Sequence, residues 1–169
     1  TVTINDGPGV DVDFISGGFG LLGTWHVNTG ASIDGGGFVN YYGPELINNG
    51  YIGLNFWDMD DNANQTLSGT GKFKHLLLNT LSGTTLTSDM HVEQLFNINN
   101  GILHTGNFTL ILDSGATAQN NGNGDDWIDG NMQQYYVAGN SSAWFLIGDN
   151  VDYYPISLTV DATVGGGVR

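Results

Sequence analysis

Apolar residues in this chain fall in short runs, and most runs are closed by Gly, Asn, Asp or Ser. The densest stretch is Met90–Ala118, where Phe108, Leu110 and Leu112 alternate strictly. Val92, Leu95 and Ile98 keep neither a period of two nor one of 3.6. Asn99-Asn-Gly101, Thr105-Gly-Asn107 and Asp113-Ser-Gly115 separate the runs. Alternation bounded by such residues predicts strands and tight turns. Gly and Asn tolerate positive φ, and Asp and Ser side chains bond nearby backbone. No run has a helical period. Short strands at short intervals, turning at each Gly, predict a coil wound in one direction. The expected fold is all-β: an irregular right-handed parallel β-helix, or solenoid.

The same punctuation predicts strands at Thr1–Ile4, Val10–Ile15 (Val10, Val12 and Phe14 inward), Thr24–Val27, Phe38–Tyr42, Tyr51–Trp57 and Lys72–Leu78. Asp58–Gln65 reads as a polar loop. Ile47-Asn-Asn-Gly50 recurs as Ile98-Asn-Asn-Gly101, and Leu67-Ser-Gly-Thr70 as Leu81-Ser-Gly-Thr84. No fixed period emerges, which predicts a degenerate coil. Composition shifts after Ala118, and Gln119–Asp126 reads as linker. Beyond it, Trp127–Ile128, Gln134–Val137, Ala143–Ile147 and Ile156–Val160 predict a small antiparallel sheet, and Gly165–Arg169 a flexible tail. Residues 1–118 are therefore expected to form the solenoid. Residues 119–169 are expected to form a sheet module packed on its end.

Composition narrows the partners. Of 169 residues, 40% are hydrophobic and 12% charged, so Asn, Thr, Ser and Gly must dress the surface. Seventeen acids face only Lys72, Lys74 and Arg169, giving a net charge of −14. Nucleic acid is excluded, because nothing here could neutralise phosphates. Anionic membranes are disfavoured for the same reason, and no apolar run has spanning length. With no Cys there is no disulfide and no thiolate metal site. A chain starting abruptly at Thr1-Val-Thr-Ile4, with no visible signal peptide, reads as a mature or excised form of an extracellular or cell-surface protein.

A resemblance adds to this. Leu95–Leu112, Trp127-Ile-Asp-Gly130, Phe145-Leu-Ile-Gly-Asp149 and Tyr153-Tyr-Pro-Ile-Ser-Leu158 follow one another as elements do in exported surface proteins of the Bacteroidetes. Those proteins carry a Gly/Asn-rich solenoid followed by a "F-P-V-G-D" element and a "Y-x-P-V" strand. The resemblance covers about residues 73–160. It implies a secreted surface module. Leu146 stands where the family has proline, and Gln133 and Gln134 where basic residues are usual.

Candidate chemistry is sparse. His26, His75, His91 and His104 are scattered singly, at no metal-binding spacing. Asp58, Asp60, Asp61 and Asn62 offer hard oxygens suited to calcium, as do Asp125, Asp126 and Asp129. Yet Ala63 and Gly69 stand where the EF-hand pattern needs Gly and Glu. Calcium is the one ion considered, and no other cofactor is expected. Glu45 and Glu93 are the only glutamates, and no nucleophile elbow or phosphate loop occurs. No catalytic activity is expected, with a polysaccharide-degrading β-helix the distant alternative. If they are strand pairs, Tyr41-Tyr42, Tyr135-Tyr136 and Tyr153-Tyr154 must each put one ring on each face. Trp57 and Tyr136 are the candidate rings for stacking on glycans.

Solenoid ends leave unpaired backbone groups. Thr1, Val2, Thr3 and Ile4, or Val10, Val12 and Phe14, could supply a donated strand, and neither end offers an obvious cap. The expected function is a self-assembling structural subunit, a filament or fibrous layer whose partner is itself. A glycan-binding adhesin module is the alternative.

Overall fold

The structure is a computed structural model that describes residues 1–5, 12–14, 16–121, 124–149 and 151–169. No helix occurs among the described residues. The chain forms a parallel β-solenoid of about seven turns, with a small antiparallel sheet at its end.

Coil one holds β1 (Val2–Ile4), β2 (Val12–Asp13) and β3 (Gly18–Leu21). Coil two holds β4 (Trp25–Val27), β5 (Ser32–Asp34) and β6 (Phe38–Tyr41). Coil three holds β7 (Glu45–Asn48), β8 (Tyr51–Ile52) and β9 (Phe56–Met59). From coil four the strands lengthen and run through corners. They are β10 (Gln65–Ser68), β11 (Lys72–Asn79), β12 (Thr84–Leu86), β13 (Met90–Asn100), β14 (Ile102–Leu112), β15 (Thr117–Asn120) and β16 (Trp127–Tyr136). Then come β17 (Gly139–Phe145), β18 (Ile147–Gly148), β19 (Ile156–Ala162) and β20 (Gly166–Val168).

Pairing defines three faces. Face A stacks β1, β4, β7, β10, β12, the starts of β14 and β16, and β18. Face B stacks β2, β5, β8, the starts of β11 and β13, and the ends of β14 and β16. Face C stacks β3, β6, β9, the ends of β11 and β13, and β15. The step along a face is 19 residues from Leu67 to Leu86 but 25 from Ile102 to Trp127. That drift is why the internal repeats lack a period.

Alternation sends every second side chain inward. Val39, Trp57, Leu76 and Phe96 stack on face C, and Ile33, Ile52, Phe73, Val92 and Leu112 on face B. All are buried. Buried Asn48, Gln65 and Thr80 bond backbone carbonyls of neighbouring coils. Gln65 Nε2 donates to the carbonyls of Tyr41 and Gly43, each at 2.8 Å, and its Oε1 lies 2.8 Å from the Thr80 hydroxyl. Gly101 closes a corner at φ +81°, where a Cβ would meet the Thr80 carbonyl at 2.0 Å. Only glycine fits there.

Several expected boundaries change. Tyr51–Trp57 is two strands on two faces, with buried Leu54 at the bend. The Asp58–Gln65 loop is shorter than expected, since Asp58 and Met59 belong to β9 and Gln65 opens β10. Parallel stacking does not stop at residue 118. β15 crosses that point, and β16 and β18 add further rungs. Trp127–Ile128 and Gln134–Val137 therefore contribute to the solenoid. The antiparallel sheet is the ribbon of β17 and β19. The tail is ordered as β20, antiparallel to β16, where Gly167 lies opposite Tyr135.

Candidate functional site

Two places stand out, a polar network on face B and the two ends of the rod. In the network, side chains from four successive coils meet on the outer surface. Lys72 Nζ lies 2.8 Å from Asp113 Oδ2 and 3.6 Å from Glu93 Oε1. His91 Nδ1 lies 3.3 Å from Asp113 Oδ1, and the Tyr51 hydroxyl donates to Glu93 Oε2 at 3.2 Å. The hydrogen bond to Asp113 holds the Lys72 ammonium above its usual range. Partial burial alone would raise Asp113, but hydrogen bonds from Lys72 and His91 hold its carboxyl below the usual range. Burial, then the nearby Glu93 carboxylate, pushes Tyr51 up to about 12. Lys72 and Asp113 are thus locked in their charged forms, the reverse of tuning for proton transfer near neutrality. The arrangement ties coils three to six together.

The calcium candidates do not converge. Asp58 points outward from β9, and burial with the nearby Asp60 pushes its carboxyl up to about 7. Asp60 Oδ1 accepts from Asn79 Nδ2 at 3.4 Å. Asp61 spends its carboxylate on its own loop, accepting from the Asn62 amide at 2.6 Å. Asp129 turns to His104 at 3.0 Å. Asp125 is exposed, whereas Asp126 is 1% exposed, with burial and Asp125 pushing its pKa up and one oxygen unpartnered. Among the described residues no group of three or more His, Cys, Asp or Glu could hold a metal ion.

The glycan rings need correction. Trp57 is 0% exposed, in the core beside Tyr41, and Tyr136 is 7% exposed. Only Tyr135-Tyr136 lies within one strand, and there the rings do divide, Tyr135 facing solvent; Tyr42 and Tyr154 are also exposed but lie outside strands. Register decides which member turns inward, and for 135 and 136 it is the second. Glu45 lies on face A and Glu93 on face B, so the two glutamates do not face one another.

At the ends, the expected assembly residues are already strands. Val2, Thr3 and Ile4 pair with Trp25, His26 and Val27, and Ile4 is buried. Val12 pairs with Ile33, Phe14 packs on Phe19, and Val10 lies outside the described residues. None of the described ones is a spare strand. What they offer is their other edge. The Val2 amide and the Ile4 carbonyl bond toward coil two, so parity turns the N–H and C=O of Thr3 outward along the axis. The same parity turns out Asp13, Gly18 and Gly20. The opposite end, expected to lack a cap, has one: β18 covers face A, β20 covers face B, and the β17–β19 ribbon packs by β15 on face C.

Sequence reading missed the Lys72 network and the cap. The signal for the first was coil spacing, since Tyr51, Lys72, His91 and Asp113 each advance by about one turn. No protein-family model, curated protein or solved structure matches the chain.

Proposed function

We propose that this chain is a structural module of an extracellular surface assembly, joined to further β-structure through the open edge of its first coil. The observation that carries this reading is the asymmetry of the ends. Among the described residues, β1, β2 and β3 pair on one side only, whereas the last coil is covered on all three faces. An unpaired edge is a template for another strand. Low charge density, the Gly- and Asn-rich surface and the likeness of residues 73–160 to exported Bacteroidetes surface proteins support the extracellular location. The Lys72 network suits a rod that resists unwinding. The function is mechanical and assembling, with a homopolymer as the expected product.

Sedimentation velocity over a range of concentrations, with electron microscopy, is the test. Thr3→Pro removes an outward N–H without touching the β1–β4 bonds. The intact chain should associate and the variant should not. A chain that remains monomeric at every concentration rules out self-assembly.

A further inference from the structure

We propose that the groove between β15 and the β17–β19 ribbon binds a neutral glycan whose sugars carry equatorial hydroxyls. The site lies inside the chain and is independent of the assembly reading. Two hollows of about 360 Å³ and 240 Å³ follow one another along β15 and share Ala118, Gln119 and Trp144. Asn120, Tyr153 and Pro155 extend the first, and Thr117 and Ser142 the second. No charged side chain lines either hollow. β15 has four residues, so the groove runs for about 13 Å, room for a short run of sugar units.

The groove exists because face C lacks a rung on the last coil. Among the described residues β15 pairs with β13 alone, and β17 lies beside it without pairing to it. The Asn121 amide donates back to the Ile98 carbonyl, so parity turns the N–H and C=O of Ala118 and Asn120 toward the groove. Cα atoms of β15 and β17 approach within 8 Å. A strand inserted between them would need two strand spacings, about 9.6 Å, so a peptide does not fit there as an added strand. The free polar groups suit a sugar instead. The Trp144 indole N–H, the Gln119 amide and the Thr117 and Ser142 hydroxyls make no hydrogen bond to described residues. Trp144 is 56% exposed, and Tyr153 is fixed by stacking on the buried Trp127, with centroids 6.3 Å apart at 19°. These rings offer apolar faces to the C–H faces of a pyranose, and the amides and hydroxyls meet its equatorial rim. With no cation in the groove and −14 on the chain, uronates, sulfates and phosphates are repelled.

Titration calorimetry of the full chain with cellohexaose and xylohexaose, and with the acidic hexagalacturonate, is the test. At least one neutral probe should bind saturably, and the acidic one should not. Trp144→Ala, at an exposed position, should abolish that binding. Gln119→Ala should weaken it about fivefold, as the loss of one hydrogen bond does. Tyr154→Ala, also exposed but outside both hollows, should bind like the intact chain. Thermal unfolding by circular dichroism checks the fold of each variant, and Gln119→Ala decides alone if Trp144→Ala does not fold. Binding of neither neutral probe, unchanged binding by the folded Trp144→Ala or Gln119→Ala variant, or equal binding of hexagalacturonate overturns the groove as a glycan site. None of these results bears on self-association, so the proposed function is tested separately by sedimentation.

Discussion

The first and last coils are built from the same parallel rungs but are buried to different depths. In coil one the strands have two to four residues, and Val12 and Phe14 are only half-buried. In the last coil β16 runs ten residues, and Trp127, Ile128, Met132 and Tyr136 are all buried. A solenoid coil has no core of its own; it is buried by its neighbours. Coil one has a neighbour on one side. The last coil has one below and, above it, β18, β20 and the ribbon. Because β20 runs antiparallel to β16, it cannot serve as the start of another parallel turn on that face. Among the described residues, the edge of coil one is unpaired and that of the last coil is covered.

The largest test of that contrast removes the cover. A chain ended at Gly148 loses β19 and β20 and bares β16 on face B. It also strips β19 from β17, the ribbon strand beside β15. Both ends would then be open, and light scattering should register unlimited association or precipitation. If this shortened chain stays as soluble and as folded as the intact one, the cover is ornamental. A gentler version compares two phenylalanines. Phe145→Ala, in the buried cap, should cost about 3 kcal/mol in denaturant unfolding, and Phe19→Ala, on the open rim, under about 1 kcal/mol. Equal costs would mean that the rim is covered in solution, which the concentration dependence of the Phe19→Ala result would reveal.

The contrast was only half legible beforehand. Strand-and-turn punctuation gave the all-β solenoid, because positive-φ glycines such as Gly101 mark corners whatever the coil length. The alternation rule placed one ring of the Tyr135-Tyr136 pair outside. What could not be read was closure. Which residues meet across coils depends on each turn's length, and a step that drifts from 19 to 25 residues scrambles that count. Tyr51 and Glu93 are 42 positions apart, and no local pattern joins them. The tail looked flexible because Gly165-Gly-Gly167 has no side chains to bury. It is a strand because β16 needed a partner, and Tyr135 lies over Gly167 in place of a side chain. The freedom of Val2–Ile4 was overestimated because strand propensity does not reveal what a strand is already paired with.

Acidity offers a smaller test. Asp126, at the capped end, is buried with one oxygen unpartnered, and burial and then Asp125 raise its pKa. Its folded value lies above the unfolded one, near 4, so the folded chain binds this proton more tightly. The penalty is fully present above the folded value, and it is relieved as pH falls through that value. Asp58, mid-rod, behaves alike, with relief between about 7 and about 4. Asp126→Asn should therefore stabilise the intact chain at pH 8 by about 1–2 kcal/mol, with slowed amide exchange confined to the last coil. It should leave coil one unchanged. Destabilisation at pH 8 would mean that the charged carboxylate has a partner worth keeping, a bound cation being the first to test by adding calcium.

The smallest effect is expected midway, at Lys72. Its ammonium is half-exposed, so losing both ion pairs in Lys72→Met should cost only about 0.5–1 kcal/mol, and less in high salt. Its interest lies in position. The network joins coils three to six, the stretch across which the weakly buried end and the covered end communicate. In a one-dimensional stack, cooperativity depends on the couplings between neighbouring turns. If the intact chain unfolds in one transition, weakening this coupling should broaden it and let coils one to three exchange their amides ahead of the rest. Exchange that stays uniform in Lys72→Met would show that the stacked core of Trp57, Leu76 and Phe96 carries the coupling by itself, with the charged network adding only local order.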